Sequence, residues 1–382
     1  MSGRVRQWTK PIAALVALAL LAGCWDQVDL QDVTFISAIG IDYAEGDFTL
    51  YAHVISPSST AKKESEEAGS EKVTSWVGEA SGNSVFMAIG NLAKVSQHPI
   101  SMDHLRAVVI HERALPHLTS VFDAINRQRA TRGTIWVYGT RGSIQELFES
   151  EPLSTASPLD NVIYKPEQIF KEFSFFYPKR MRAFLQSFRE EAMTTTLPAL
   201  RMTKQNWSAE GKSINVPGVE GVFIFKDEKN AAFMTLDKAS GLQWTLPHYR
   251  AGFLKLGEAP NAVTIYVTDT DSDLSVDWKQ GRPSFTLQIK AKCQIVEMGK
   301  RMSKKEIEQL AETAIQTEIG NTYKEAVKRK ADPFMLELHL YRYHNRRWKQ
   351  LTQSGGWVPE ENSLRVKANL LLTSPGKYEL DT

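Results

Sequence analysis

The sequence predicts an α+β protein of two or three mixed α/β domains with mostly antiparallel sheets. Three observations point there. Short apolar runs bounded by turn residues recur along the chain and alternate with stretches of helical periodicity. Two such runs, Val219–Lys226 and Ala231–Leu236, flank Asp227-Glu228-Lys229-Asn230 and read as a hairpin spanning 219–236. One long amphipathic stretch, about 303–330, has helix start and stop signals and strand candidates on both sides, so the C-terminal domain reads as a sheet packed on one long helix.

The N-terminus has three zones. Arg4, Arg6 and Lys10 make a positive region, Pro11–Leu20 is a short apolar run, and Leu21-Ala22-Gly23-Cys24 closes it. This is the layout of a secretory signal, and the run is well short of the ~20 residues that cross a bilayer. A cysteine directly after small residues makes the tetrad look like a lipobox. Residues 1–23 are therefore expected to be a lipoprotein signal peptide cut between Gly23 and Cys24, with lipid on the Cys24 thiol. Each buried lipid methylene contributes about 0.8 kcal/mol, so two or three acyl chains anchor stably where one does not.

Beyond Cys24, Val33–Asp42 and Phe48–Ser56 read as strands joined by a turn at Glu45-Gly46-Asp47, and the polar stretch Ser56–Lys72 reads as a loop. Val73–Ala80 is a strand candidate. Ser84–Val95 has helical spacing, Leu105–Ile110 is a short buried strand, Leu115–Ile125 a helix and Thr134–Tyr138 a strand. Leu159–Phe173 and Lys179–Phe188 read as helices and Leu197–Met202 as extended. Lys204–Pro217 is polar and turn-rich, which sets the expected division into an N-terminal α/β region, 24–205, and a C-terminal α/β domain, 206–382.

In the second region Asp237–Trp244 reads as a short helix, and Asn261–Thr268 and Phe285–Val296 as strands. In the long helix, Ser303 with Glu306 fits a capping box, and Ile307, Leu310, Ala311, Ala314, Ile315 and Ile319 share one stripe. Lys328, Arg329 and Lys330 suit its C-terminal dipole, and Pro333 prevents continuation. Phe334–Tyr341 and Leu364–Leu372 are the last strand candidates.

Composition is that of an ordinary globular protein, with 42% hydrophobic and 24% charged residues. Removing Arg4, Arg6 and Lys10 from the 46 basic residues leaves 43 against 44 acidic ones, so the exported chain is near neutral and gives no global electrostatic case for nucleic acid. With Cys24 modified, Cys293 has no disulfide partner and reads as a buried strand thiol.

The chain contains no P-loop, dinucleotide glycine fingerprint, G-x-S-x-G elbow or H-E-x-x-H pair, which weighs against the commonest nucleotide enzymes, hydrolases and zinc proteases. His98, His104, His111 and His117 lie close together beside Asp103 and Glu112, but a predicted strand separates the second from the third, and loop or surface histidines are the default. Asp269, Asp271, Asp273 and Asp277 lack the glycine and terminal glutamate of an EF-hand, and they read as a polar loop between strands. Tyr341–Lys349 mixes aromatics with Arg342, Arg346, Arg347 and Lys349. It reads as a hairpin turn or a sheet edge blunted by charge, with lipid headgroups as a lesser option. No metal, cofactor or catalytic residue is expected.

Three segments in order resemble one family. Leu21-Ala-Gly-Cys24-Trp25-Asp26, followed by the strand ending Gly40-Ile41-Asp42, resembles the start of the C subunits of spore germinant receptors, the GerAC or Ger(x)C family. Val219–Asp227 with Gly241-Leu242-Gln243-Trp244, and the long helix leading into Ala331-Asp332-Pro333-Phe334, continue the resemblance over nearly the whole exported chain. Two places depart from the pattern. Gln27 or Asp29 stands where many members have an acidic residue soon after Trp-Asp, and Met335 follows Asp332-Pro-Phe where the family has a glycine-containing Asp-x-Phe-Gly. The resemblance implies a non-enzymatic lipoprotein on the outer face of the spore inner membrane, acting with integral-membrane A and B subunits to trigger germination on small nutrients. The alternatives are a solute-binding lipoprotein of a transporter and an extracytoplasmic cell-wall enzyme.

Overall fold

A mixed sheet fills the first part of the chain. Its strands are β1 (Thr34–Ala44), β2 (Asp47–Ile55), β3 (Ser75–Gly82), β4 (Ile100–Ser101), β5 (Ala107–His111), β6 (Trp136–Thr140), β7 (Lys179–Arg180), β8 (Thr194–Ala209), β9 (Lys212–Lys226) and β10 (Lys229–Thr235). The computed structural model describes residues 32–55, 75–128, 133–150, 153, 158–173, 175–209, 211–246, 249–250, 252–258, 260–353 and 357–380. The expected signal peptide, Gly23, Cys24 and the loop expected over Ser56–Lys72 lie outside the described residues. The order across the sheet is β10-β9-β8-β6-β5-β1-β2-β3, with β4 on β1 and β7 on β6.

The centre of this sheet, β1, β5, β6 and β8, is parallel, and its flanks are antiparallel. Parallel neighbours need crossovers, which here cover both faces. Helices α1 (Val85–Val95), α2 (Leu118–Asn126) and α5 (Met181–Arg189) bury Leu92, Phe122 and Phe184 against one face. On the other, α3 (Ile144–Phe148) and the turn before α4 (Pro166–Phe173) bury Leu147, Phe148 and Ile163.

The expected boundary at 205/206 falls inside β8. The polar stretch 204–217 belongs to a long antiparallel ribbon of β8 and β9, in which Thr203 pairs with Val216 and Trp207 with Ile214. A ladder of backbone hydrogen bonds satisfies this stretch without an apolar face, so its composition hid a strand. The hairpin expected in the second region accordingly forms the edge of the first sheet.

After β10 come α6 (Leu236–Ala239), a 3₁₀ turn over Ser240–Thr245, and a second sheet of order β11-β12-β13-β14, made of Gly252–Leu256, Val263–Lys279, Arg282–Met298 and Leu364–Ser374. Helix α7 (Lys304–Lys328) opens with the expected capping box at Ser303 and Glu306. Its Ile307, Ala311, Ile315 and Ile319 pack on Ile265, Ile289 and Cys293 of the sheet. The edge strand β14 is blunted by the same helix: Glu312 accepts the Leu370 N–H at 3.1 Å and Glu308 the Leu372 N–H at 2.9 Å. These carboxylates satisfy edge donors that would otherwise recruit another strand.

Phe334–Tyr341 is not a strand. Leu336–Tyr343 forms α8 and Asn345–Thr352 forms α9. Asp332 decides this locally, because its Oδ2 accepts the Glu337 N–H at 2.8 Å and satisfies a first-turn donor of the helix.

The two sheets meet at the hairpin. Along β9, Phe223 and Phe225 point into the core of the first sheet, while Val222 and Ile224 pack with Met234, Ala326 and Ala331 toward the end of α7. Lys226, at the end of β9, pairs with Glu337 of α8 and donates to the Trp357 carbonyl at 2.8 Å. Glu337 also accepts from Trp348 Nε1 at 3.0 Å, and Arg342 bonds Glu190 at 2.5 Å across the junction. Removing one member of a buried pair such as Lys226–Glu337 costs about 3–5 kcal/mol, because the other charge stays buried and unpaired.

Asp332 is fully buried in this junction, and its Oδ1 has no hydrogen-bond partner among the described residues. Burial pushes its carboxyl up to about 6, against the backbone N–H bonds of Glu337 and Leu336 and the charge of Lys226. The folded chain thus holds this proton more tightly than the unfolded chain. The resulting stabilisation is complete below about pH 4 and is lost as pH rises through 6, with a span of about 3 kcal/mol at most. We expect Asp332→Asn, which keeps the acceptor and fixes neutrality, to unfold at a temperature that gains on the native chain's between pH 4 and pH 7. A difference in melting temperature that is constant over that range would contradict this.

Candidate functional site at the starts of the parallel strands

Strands β1, β5 and β6 begin at one end of the large sheet. Arg106, just before β5, is fixed by its backbone: its N–H bonds the Ser37 carbonyl at 2.9 Å and its carbonyl accepts the Trp136 N–H at 2.8 Å. The short strand β7 pairs Arg180 with Trp136 in antiparallel register. That pairing lays the Arg180 guanidinium 3.3 Å from the centre of the Trp136 ring, a cation–π contact on an indole otherwise buried. Arg180 also bonds Glu167 of α4 at 3.0 Å and the Thr134 carbonyl.

These groups wall an open cavity of about 740 Å³, to which Lys165, Lys171, Asp103 and His104 also contribute. Lys165 pairs with Asp160 and Arg180 with Glu167, whereas Arg106 and Lys171 are exposed and form no ion pair among the described residues. At the inner wall the buried Tyr164 hydroxyl bonds His53 Nδ1. Burial lowers the His53 pKa to about 4, so the ring is neutral at physiological pH and adds no charge to the cavity.

The other end of the same strands is closed by ion pairs. Asp42, the last residue of Gly40-Ile41-Asp42, accepts from Arg113 Nε at 3.0 Å and from the Tyr43 N–H at 2.7 Å, with His111 Nδ1 3.3 Å away. Burial alone would raise the Asp42 pKa; the Arg113 bond, the Tyr43 N–H and the His111 charge outweigh it and hold the carboxyl below its usual range. Gly40 is required by close packing, since a Cβ there would fall 2.2 Å from Ile144 Cγ2 of α3. Arg141 and Glu112 pair beside this cluster at 3.1 Å.

The clustered histidines therefore separate. His104 stacks on Phe35 near the start of β1, whereas His111 lies at the far end and His117 packs on Tyr43 there. No three His, Cys, Asp or Glu side chains among the described residues converge as metal ligands. The aspartates at 269–277 are not in a loop. They lie on the solvent side of the 17-residue β12, whose Leu274, Val276 and Trp278 face the core. Asp269 and Asp271 stand opposite Lys292 and Lys290 of β13, so cross-strand charge pairing accounts for these two, while Asp273 and Asp277 face Gln288 and Ser284. Cys293 is buried in β13, and burial, with Glu308 nearby, pushes its thiol up to about 12. Tyr341–Lys349 spans the end of α8 and the start of α9, with His344 between them. Trp348 is buried against Glu337, and Arg347 lies over Trp278 at 4.5 Å.

Comparison with known proteins agrees with this two-part build. Residues 26–202 match the spore germination protein N-terminal domain, and residues 220–376 match the spore germination B3/GerAC-like C-terminal domain. The chain belongs to the GerAC family of spore germination proteins. Among its relatives in Bacillus subtilis (strain 168), it is 24% identical over 346 residues to the putative spore germination protein YfkR, covering 85% of each chain. It is 22% identical to spore germination protein KC, covering 97% of each chain. The crystal structure of the GerBC protein has the same fold, at a TM-score of 0.53 and 15% identity, over 88% of this chain and 96% of that one.

The family motifs now have physical reasons. Gly241 presses on α7, where a Cβ would meet the Glu318 carbonyl at 2.7 Å, and its N–H bonds Thr322 Oγ1 at 2.9 Å. Trp244 Nε1 bonds Glu318 at 2.7 Å, completing the docking of this turn on the helix. Met335, at the position where the resemblance implies a glycine, has φ +58°, the left-handed region. The cavity cations gave no signal in the sequence, because Arg106 and Arg180 are brought together only by the pairing of β6 with β5 and β7.

An L-residue in the left-handed region costs about 1–2 kcal/mol, partly offset by the larger folding entropy of glycine. We expect Met335→Gly to be more stable to urea than Met335→Ala by about 1 kcal/mol, with equal m-values. An alanine variant as stable as the glycine one would contradict this.

Proposed function

We propose that this chain is the lipid-anchored C subunit of a spore germinant receptor, needed with integral-membrane A and B subunits for nutrient-triggered germination. The single observation that carries this reading is the match of both halves of the chain, in order, to the two spore germination domains, supported by full-length similarity to spore germination protein KC. Among the described residues no helix is long and apolar enough to cross a membrane. In this reading attachment rests on Cys24 after removal of residues 1–23, and the protein sits on the outer face of the spore inner membrane. Lipid attachment confines the subunit to the surface of its partners, so even weak contacts assemble a complex at high effective concentration.

Its role in this reading is binding and assembly rather than catalysis. A solute-binding lipoprotein needs a cleft that opens between its lobes. Here the hairpin and the Lys226–Glu337 pair fill the junction with packed side chains, which favours the receptor-subunit reading.

Cys24→Ala tests the anchoring. We expect the variant to fold, to appear in the soluble fraction and to respond to its nutrient at least several-fold more slowly in spores. An unchanged nutrient response with all of the protein soluble would overturn the claim that anchoring matters.

A further inference from the structure

The end of the large sheet that carries the cavity is also the end at which β1 begins. Asp32 is the first described residue, eight positions after Cys24, so a fully extended tether reaches at most about 28 Å. Thr34 begins β1 there and its N–H bonds the Pro99 carbonyl, in the loop that follows α1.

Two large apolar side chains are exposed at this same end. Ile36 of β1 is in line with Val54 of β2, and Val54 with Trp76 of β3, so Trp76 sits two strands from the start of β1. Helix α1 runs back along β3: a Cβ on Gly82 would meet Met87 and Ala88, and one on Gly78 would meet Leu92. Its last residue, Val95, therefore comes to the Trp76 end. Trp76 is 53% exposed and Val95 75% exposed.

From Trp76 on β3 to Trp136 on β6 is four strand steps, about 20 Å. One rim thus carries an exposed indole and an exposed valine at one side. At the other side it carries a cavity lined by Arg106, Lys165, Lys171 and Arg180 against Asp103 and Glu167. With Asp160, which pairs with Lys165, the cavity has four cations against three carboxylates, and Arg106 and Lys171 are the cations with no ion pair among the described residues. Aromatic and aliphatic side chains settle at the headgroup boundary of a bilayer, and Arg and Lys beside them attract anionic lipid.

We infer that this rim is a membrane-docking face: Trp76 and Val95 enter the headgroup boundary, and the Arg106–Lys171 cavity takes the phosphate of an anionic phospholipid. The inference rests on the anchoring of Cys24 proposed above. It adds an orientation, with the ion-paired end at Asp42 and the turn before Asp47 pointing away from the bilayer.

The test uses the full lipidated chain in vesicles of 70% phosphatidylcholine and 30% phosphatidylglycerol, with a nitroxide at Val95→Cys or, as reference, at Asp47→Cys in the opposite turn. Cys293 is buried and will not take the label. We expect the Val95 label to become at least threefold less accessible to a water-soluble nickel complex than in pure phosphatidylcholine vesicles, while the Asp47 label does not change. Arg106→Glu combined with Lys171→Glu should restore that accessibility while the protein still sediments with vesicles. Sedimentation with the Val95 label in water would overturn the docking face and leave the anchor standing. Contact that survives the double charge reversal would overturn the role of the cavity. Failure to sediment would overturn the anchor and the docking face together.

Discussion

The joining of the two sheets depends on the last part of β9, Gly221–Phe225, being buried on both of its faces. Successive side chains of a strand point to opposite sides. Here Phe223 and Phe225 complete the core of the ten-stranded sheet, while Val222 and Ile224 seat the end of α7. Either face alone would give a sheet edge with a half-exposed apolar strand. Together they weld two sheets of different topology into one body. Truncating a phenylalanine buried to this degree costs about 3–5 kcal/mol, a large share of a domain's stability.

The polar part of the junction fixes alignment more than it adds stability. Lys226 reaches from the hairpin to Glu337 and the Trp357 carbonyl, and Trp348 holds Glu337 from the other side. A buried pair of this kind is weak evidence for net stabilisation, but each member constrains where the other can lie. The turn that starts α8 contains the left-handed Met335 and the buried Asp332. A body held this way moves as one unit.

Much of this was legible in the sequence. The long helix, its capping box and the 219–236 hairpin were readable because periodicity and turn chemistry are local signals. The failures share a cause. Lys204–Pro217 has strand hydrogen bonding without strand composition. The aspartates of β12 continue an alternation whose inward members, Leu274, Val276 and Trp278, are spaced by polar residues that looked like a loop. Phe334–Tyr341 alternates like a strand, yet the Asp332 cap makes it a helix. The cavity was invisible because Arg106, Trp136 and Arg180 meet only through strand register, and Lys171 joins them from α4. The Gly-Leu-x-Trp turn was recognisable before its reason was, which is the fit of Gly241 and Trp244 against α7.

Native-state hydrogen exchange under increasing urea tests the weld most directly. Amides of β9 around Phe223 and amides of α7 around Ile315 should open with the same free energy and the same urea dependence, as one cooperative unit. Exchange of α7 and β11–β14 through a cheaper opening that leaves β9 protected would show that the two sheets are separate domains, and would contradict the account.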